Sequence, residues 1–165
     1  MDQQELDTRA RFRRVMGKFA TGVTVLSYLR DGESTGMTAN AFLSVSLDPQ
    51  LVLVSIRNAS RFCGAVRAGD RFGINFLGCH QESLSARFAG QAQDTPGVLD
   101  HHPCGTPYLP ESIARLLVQV VDIHPAGDHQ LYVAQVLALD ESEQADPLLF
   151  FGGRYGRLAV AECAS

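Results

Sequence analysis

Lysine is almost missing from this chain: Lys18 is the only one among 14 basic residues, and arginine supplies the rest. Set against 18 acidic residues, this leaves a formal charge of -4, which excludes the clustered cationic excess of a nucleic-acid footprint. Arginine suits bidentate contacts with phosphate, although genome composition explains the same skew. Long apolar runs are lacking as well. None approaches the ~20 residues of a bilayer span, so no membrane partner is expected. The opening stretch MDQQELDTRARFRR is polar, unlike a signal peptide. Cysteine is sparse and widely spaced (Cys63, Cys79, Cys104, Cys163), without a C-x-x-C pair. That is the usage of reduced thiols in a cytoplasmic protein.

Several chemical signatures are absent too. Gly152-Gly153-Arg154-Tyr155-Gly156 has the wrong spacing for a dinucleotide fingerprint and follows no βαβ pattern. There is no P-loop, no H-E-x-x-H and no G-x-S-x-G elbow. Cys79-His80 and His101-His102-x-Cys104 offer soft ligands on two segments. Their spacing does not repeat the paired pattern of structural zinc, and no metal is expected.

What is present is a chain of 165 residues, 45% hydrophobic and 19% charged. It is long enough for one domain over residues 1–165 with a real core. Residues 5–20 place Phe12, Val15, Met16 and Phe19 at helical spacing, predicting an amphipathic helix that lies on the body of the protein. Val23–Tyr28 is a β-branched strand closed by Arg30-Asp31-Gly32, a hairpin signal. Ser60 offers an N-cap for a short helix through Val66. Phe72, Ile74 and Phe76 alternate as a strand, and a helix is expected around Gln81–Phe88. Ala89–Pro110 is rich in Gly and Pro, in the manner of a lid, a binding loop or an arm against a neighbouring subunit. Three further strands are expected over 113–123, 130–139 and 148–151. Many strands at short intervals point to a small barrel or sandwich.

The chain is organised around Gly36–Ile56, GMTANAFLSVSLDPQLVLVSI. Small and hydroxylated residues open it. Phe42–Ser46 then alternates, setting Ser44 and Ser46 against Leu43 and Val45. Asp48-Pro49 breaks the chain before the apolar run Leu51–Ile56. Such a wall can turn hydroxyls and backbone amides toward a ligand; a β-meander with solvated serines has the same periodicity.

This stretch resembles the signature of the short-chain flavin reductase family. Phe19-Ala-Thr-Gly-Val-Thr-Val25, Phe72-Gly-Ile-Asn-Phe-Leu77 with Gln81 and Phe88, Gly127-Asp128-His129, and Pro147-Leu-Leu-Phe150 to Tyr155 follow in the family's order, covering roughly residues 12–158. The resemblance implies a mainly β fold, an FMN-binding split β-barrel with a few short helices, and a homodimer with flavin sites near the subunit interface. It implies an NAD(P)H:flavin oxidoreductase that takes FMN or FAD, with NADH or NADPH as co-substrate, and supplies reduced flavin to a partner flavin-dependent monooxygenase. Thr38, Ala39, Asn40 and Ala41 match the motif along the flavin ring, and Ser46 and Pro49 match the Ser-x-Ser-x-x-Pro segment. Ser55 matches a position where backbone meets the ring, and Ser60 a hydroxyl near the phosphate. Arg87 and Phe88 join them, with Arg57, Asn58 and Asn75 as second choices. His129 matches the histidine beside nicotinamide or flavin, and Tyr155 an aromatic near the same place. Taken singly, Ser60 reads as a helix cap and Phe88 as a core residue. Ala41, Ala134 and Gln135 depart from the family's usual Ser and Gly-Glu. These departures also suit a flavin-binding protein that keeps its cofactor as a carrier, sensor or accessory subunit.

Overall fold

The computed structural model describes residues 3–91, 98–143 and 146–159. Helix α1 (Gln3–Met16) leads into β1 (Thr21–Gly22), β2 (Thr24–Arg30), β3 (Glu33–Ala39), β4 (Phe42–Leu47) and β5 (Gln50–Arg57). After α2 (Arg61–Ala65), β6 (Arg71–Phe76) and α3 (Glu82–Ala86), a π-type turn runs over Arg87–Gln91. Small strands β7 (Asp100–His101) and β8 (Pro107–Tyr108) precede the long pair β9 (Ala114–Ala126) and β10 (His129–Glu141). The short strands β11 (Leu149–Phe151) and β12 (Arg154–Gly156) come last.

One seven-stranded antiparallel sheet, in the order β3-β2-β6-β9-β10-β5-β4, forms the split barrel. Its hairpins follow local chemistry. Asp31 and Gly32 both take positive φ (53° and 83°), as a two-residue turn from β2 to β3 requires. Gly127 (φ 62°) opens the two-residue loop that pairs Ala126 with His129. The β9–β10 ladder shifts register at Val133/Ala134 and again at Val136/Ala138. Each shift adds local twist and helps the sheet to curl.

The main core lies inside that curl. Phe62 of α2, fully buried, meets Tyr28, Phe72 and Tyr132 edge-on at centroid distances of 4.9, 5.2 and 5.1 Å. Ser60 caps this short helix by accepting from the Phe62 amide at 3.2 Å, so the helix plugs the barrel at the point where the sequence places a cap. A smaller cluster joins Val23, Val25, Leu77, Leu109 and Leu148 to Leu84, Phe88, Phe150 and Tyr155.

Some expectations need correction. α1 forms, but none of its residues is buried, and Phe12 remains 65% exposed. Its apolar stripe does not lie on the barrel. The alternation in β4 breaks where its register with β5 shifts between Ser44 and Ser46; a bulge at Val45 interrupts the period of two. The last part of the Gly/Pro-rich segment is tied down: Ser27 Oγ donates to the Pro107 carbonyl at 2.6 Å, and the Leu109 amide donates to Asn75 Oδ1 at 2.8 Å. Residues 92–97 of that segment lie outside the described residues. Among the described residues no helix is long and apolar enough to cross a membrane.

Candidate functional site

β3 and β4 are the two ends of the seven-stranded order, so each pairs along one edge only. A terminal strand leaves a row of amides and carbonyls facing outward. Thr38, Ala39, Asn40 and Ala41 join these two edges. Asn40 and Ala41 are exposed, and Thr38 and Ala39 are half-buried. The bend is pinned from behind. Thr24 Oγ1 donates to the Ala39 carbonyl at 2.7 Å, and the Ser55 amide donates to the Ala41 carbonyl at 3.0 Å. Small side chains and open backbone at one rim make a floor for a flat, hydrogen-bonding ligand.

Two groups flank that floor. On one side, α3 and the turn after it press against β3. Thr38 Oγ1 donates to the Ser85 carbonyl at 2.6 Å, and the Phe88 ring lies against Gly36, where a Cβ would meet two ring carbons at 3.0 Å. A side chain at this position would push that ring back. Tyr155 packs edge-on to Phe150 at 5.6 Å, and its hydroxyl lies 2.8 Å from Ser85 Oγ. The Arg87 guanidinium stands 5.6 Å from the centroid of the Phe88 ring.

On the other side, Ser60 Oγ reaches Met37 Sδ at 3.3 Å, and the Ser60 amide donates to the Arg57 carbonyl at 2.9 Å. Arg57 in turn pairs with His129 across β5 and β10. His129 begins β10, 34% exposed, with Nδ1 at 2.7 Å from Asp128 Oδ1. That hydrogen bond holds the Asp128 carboxyl below the usual carboxylate range. The turn is braced from β5 as well: the Asn58 amide donates to the Asp128 carbonyl at 3.0 Å.

The fold thus brings Thr38, Ala39, Asn40, Ala41, Ser55, Arg87, Phe88 and Tyr155 around one rim, with Ser60 and His129 linked to it through Met37 and Arg57. Ser46 and Pro49 lie at the far end of the β4–β5 hairpin, where Leu47 pairs with Gln50. Among the described residues no hydrogen bond or ring contact joins His129 to Tyr155. Asn75 is fully buried and committed to the fold: its amide donates to the Val25 carbonyl and Ser27 Oγ, and its Oδ1 accepts from Leu109. Ala134, one of the departures, is 1% exposed in the main core opposite Val52 and Val120, away from the rim. Ser85 escaped sequence reasoning because one serine in a short helix carries no pattern; only Tyr155, 70 residues later, reveals it.

Comparison with known proteins gives the family and the fold. Residues 16–159 match the flavin reductase like domain. The chain is 41% identical to an NADH-dependent flavin reductase of a Rhodococcus species over 162 residues, covering 94% of this chain and 92% of that protein. It is 35% identical to HsaB of Rhodococcus jostii, the reductase subunit of a flavin-dependent monooxygenase, covering 92% of this chain and 78% of the relative. The solved structure of the flavin reductase PheA2 in its native state superimposes with a TM-score of 0.81 at 40% identity, covering 96% and 99% of the two chains.

Proposed function

Since this chain belongs to the flavin reductase like family, we propose that the rim of β3 and β4 is where it binds FMN or FAD for reduction by NADH. The protein is an NADH-dependent flavin reductase that supplies reduced flavin to a monooxygenase. One observation carries the siting: a run of small residues with open backbone, Thr38–Ala41, lies at the split of the barrel between Phe88 and Tyr155 on one side and Ser60 on the other.

The residues fit such a ring. The outward edge of β3 offers alternating donors and acceptors for a pyrimidine edge, and Phe88 and Tyr155 offer apolar surface for a ring face. Ser60, beside the exposed Arg57, supplies a hydroxyl near a cation for the phosphate end. When both nucleotides are bound, the chemistry they supply is hydride transfer from nicotinamide C4 to flavin N5. The chain's own task is alignment, because a transfer of this kind depends on reacting atoms held at about 3–3.5 Å. His129, fixed by Asp128, orients the nicotinamide and need exchange no proton.

The protein acts as one domain and pairs as a homodimer. The apolar stripe of α1, exposed on the single chain, supports the pairing, since monomers seldom leave such a patch uncovered. Following NADH absorbance with purified protein and added FMN or FAD tests the activity. Consumption that saturates with free flavin is expected. A yellow protein that consumes no NADH would remove the reductase reading.

A further inference from the structure

Ser85 is completely buried in α3, yet it holds two residues of the proposed flavin rim. Its Oγ lies 2.8 Å from the Tyr155 hydroxyl, and its carbonyl accepts Thr38 Oγ1 at 2.6 Å. Its amide donates to the Gln81 carbonyl at 3.1 Å, and Gln81 is anchored in turn by the Gly78 amide and the Glu111 carbonyl. The serine therefore stands on a fixed base.

The helix and the turn after it meet β3 at two points on one face of the strand. Ser85 of α3 meets Thr38, while Phe88 of the following turn meets Gly36. Tyr155 closes the arrangement from β12.

Packing alone does not require this hydroxyl. Alanine is the better helix former and leaves no polar atom to satisfy in a buried site. In a helix, serine commonly bonds back to the preceding turn, whereas Ser85 Oγ is directed to Tyr155.

We infer that Ser85 is a positioning residue of the flavin site, setting the Tyr155 hydroxyl and the Thr38 side chain from beneath without touching flavin. With no exposed surface it has no means of direct contact. The inference rests on the flavin-site reading above.

The test is a double-mutant cycle of Ser85→Ala, Tyr155→Phe and the pair, read by quenching of FMN and FAD fluorescence without NADH, with thermal unfolding as control. Each single change should weaken flavin binding roughly three- to tenfold, the worth of one hydrogen bond. The double variant should lose no more than the larger single, because both changes remove one interaction. Ser85→Cys, which keeps a weak donor, should fall between wild type and Ser85→Ala. With NADH present, the loss in Ser85→Ala should appear in the KM for flavin more than in kcat at saturation. Unchanged flavin binding in a folded Ser85→Ala protein, or additive losses in the pair, overturns the inference alone. A wild-type chain that quenches neither flavin overturns the site reading and this inference with it.

Discussion

Asp128 Oδ1 lies 2.7 Å from His129 Nδ1 at the mouth of the β9–β10 hairpin. An ionised carboxylate can only accept, so Nδ1 carries the hydrogen of this bond. The hydrogen bond lowers the Asp128 pKa. Its contribution is therefore present above the ordinary carboxylate value near 3.9 and is lost only as pH falls through the lower folded value. Asp128 is thus ionised at neutral pH. His129→Ala should slow NADH oxidation, by up to about 10²-fold if nicotinamide alignment fails, while flavin binding persists. Asp128→Asn keeps an acceptor but loses the charge, and should cost roughly three- to tenfold in kcat/KM for NADH. Steady-state kinetics at fixed flavin decides both, and a His129→Ala enzyme with normal turnover removes the histidine from the mechanism.

Phe62 shows where helix α2 gains its stability. A segment of five residues cannot hold a helix by itself; three edge-on aromatic partners and the Ser60 cap do so. Phe62→Ala should destabilise the fold by about 3–5 kcal/mol. Urea unfolding with an unchanged slope is the measurement. A loss below 1 kcal/mol, well under the range for a buried aromatic, means the plug is not part of the cooperative core.

Much of this architecture was legible in residue types. Asp31-Gly32 marked a hairpin because few other pairs tolerate positive φ twice, and Ser60 marked a helix start through its hydroxyl. Strong alternation located β6 at Phe72, Ile74 and Phe76. What stayed hidden depends on distant partners. β1 and β12 are short strands that exist only through pairing with β11, and local pattern cannot announce them. The bulge at Val45 is a matter of register between strands. Asn75 suited ligand binding by its type, yet its hydrogen bonds run to Val25, Ser27 and Leu109, which no spacing could show. The unburied face of α1 is a property of the surroundings, since an amphipathic stripe does not say what covers it.

Cys104 carries the most perturbed thiol among the described residues. A hydrogen bond from Thr106, then one with His102 at 3.2 Å, brings its pKa down to about 7 although the residue is exposed. A depressed acid is charged above its own pKa, so the thiolate fraction should rise through about pH 7, well below the usual value near 8.5. Alkylation of the Cys104 peptide, followed by mass spectrometry against pH, should be half-maximal near neutrality. Thr106→Val should move that midpoint upward, and a midpoint unchanged by this variant removes the stated cause.

The exposed stripe of α1 sets the final expectation. Phe12, Val15 and Met16 on one face of α1 are 65%, 59% and 51% exposed on the single chain, and Phe19, just after the helix, is 73% exposed. Burying each large side chain is worth about 1.5–3 kcal/mol. A two-fold interface uses the same patch from both copies, so one substitution acts twice. Wild-type protein should sediment as a species of twice 17.9 kDa. If α1 forms the interface, Phe12→Glu with Val15→Glu should raise the dimer dissociation constant by at least about 10³-fold. Sedimentation velocity across a dilution series reads this directly. A wild-type monomer at micromolar concentration would end the homodimer proposal. A variant that remains as tightly paired as wild type shows that the copies meet elsewhere, and the exposed apolar residues of β4, Leu43, Val45 and Leu47 at 50%, 47% and 87%, are the next to substitute.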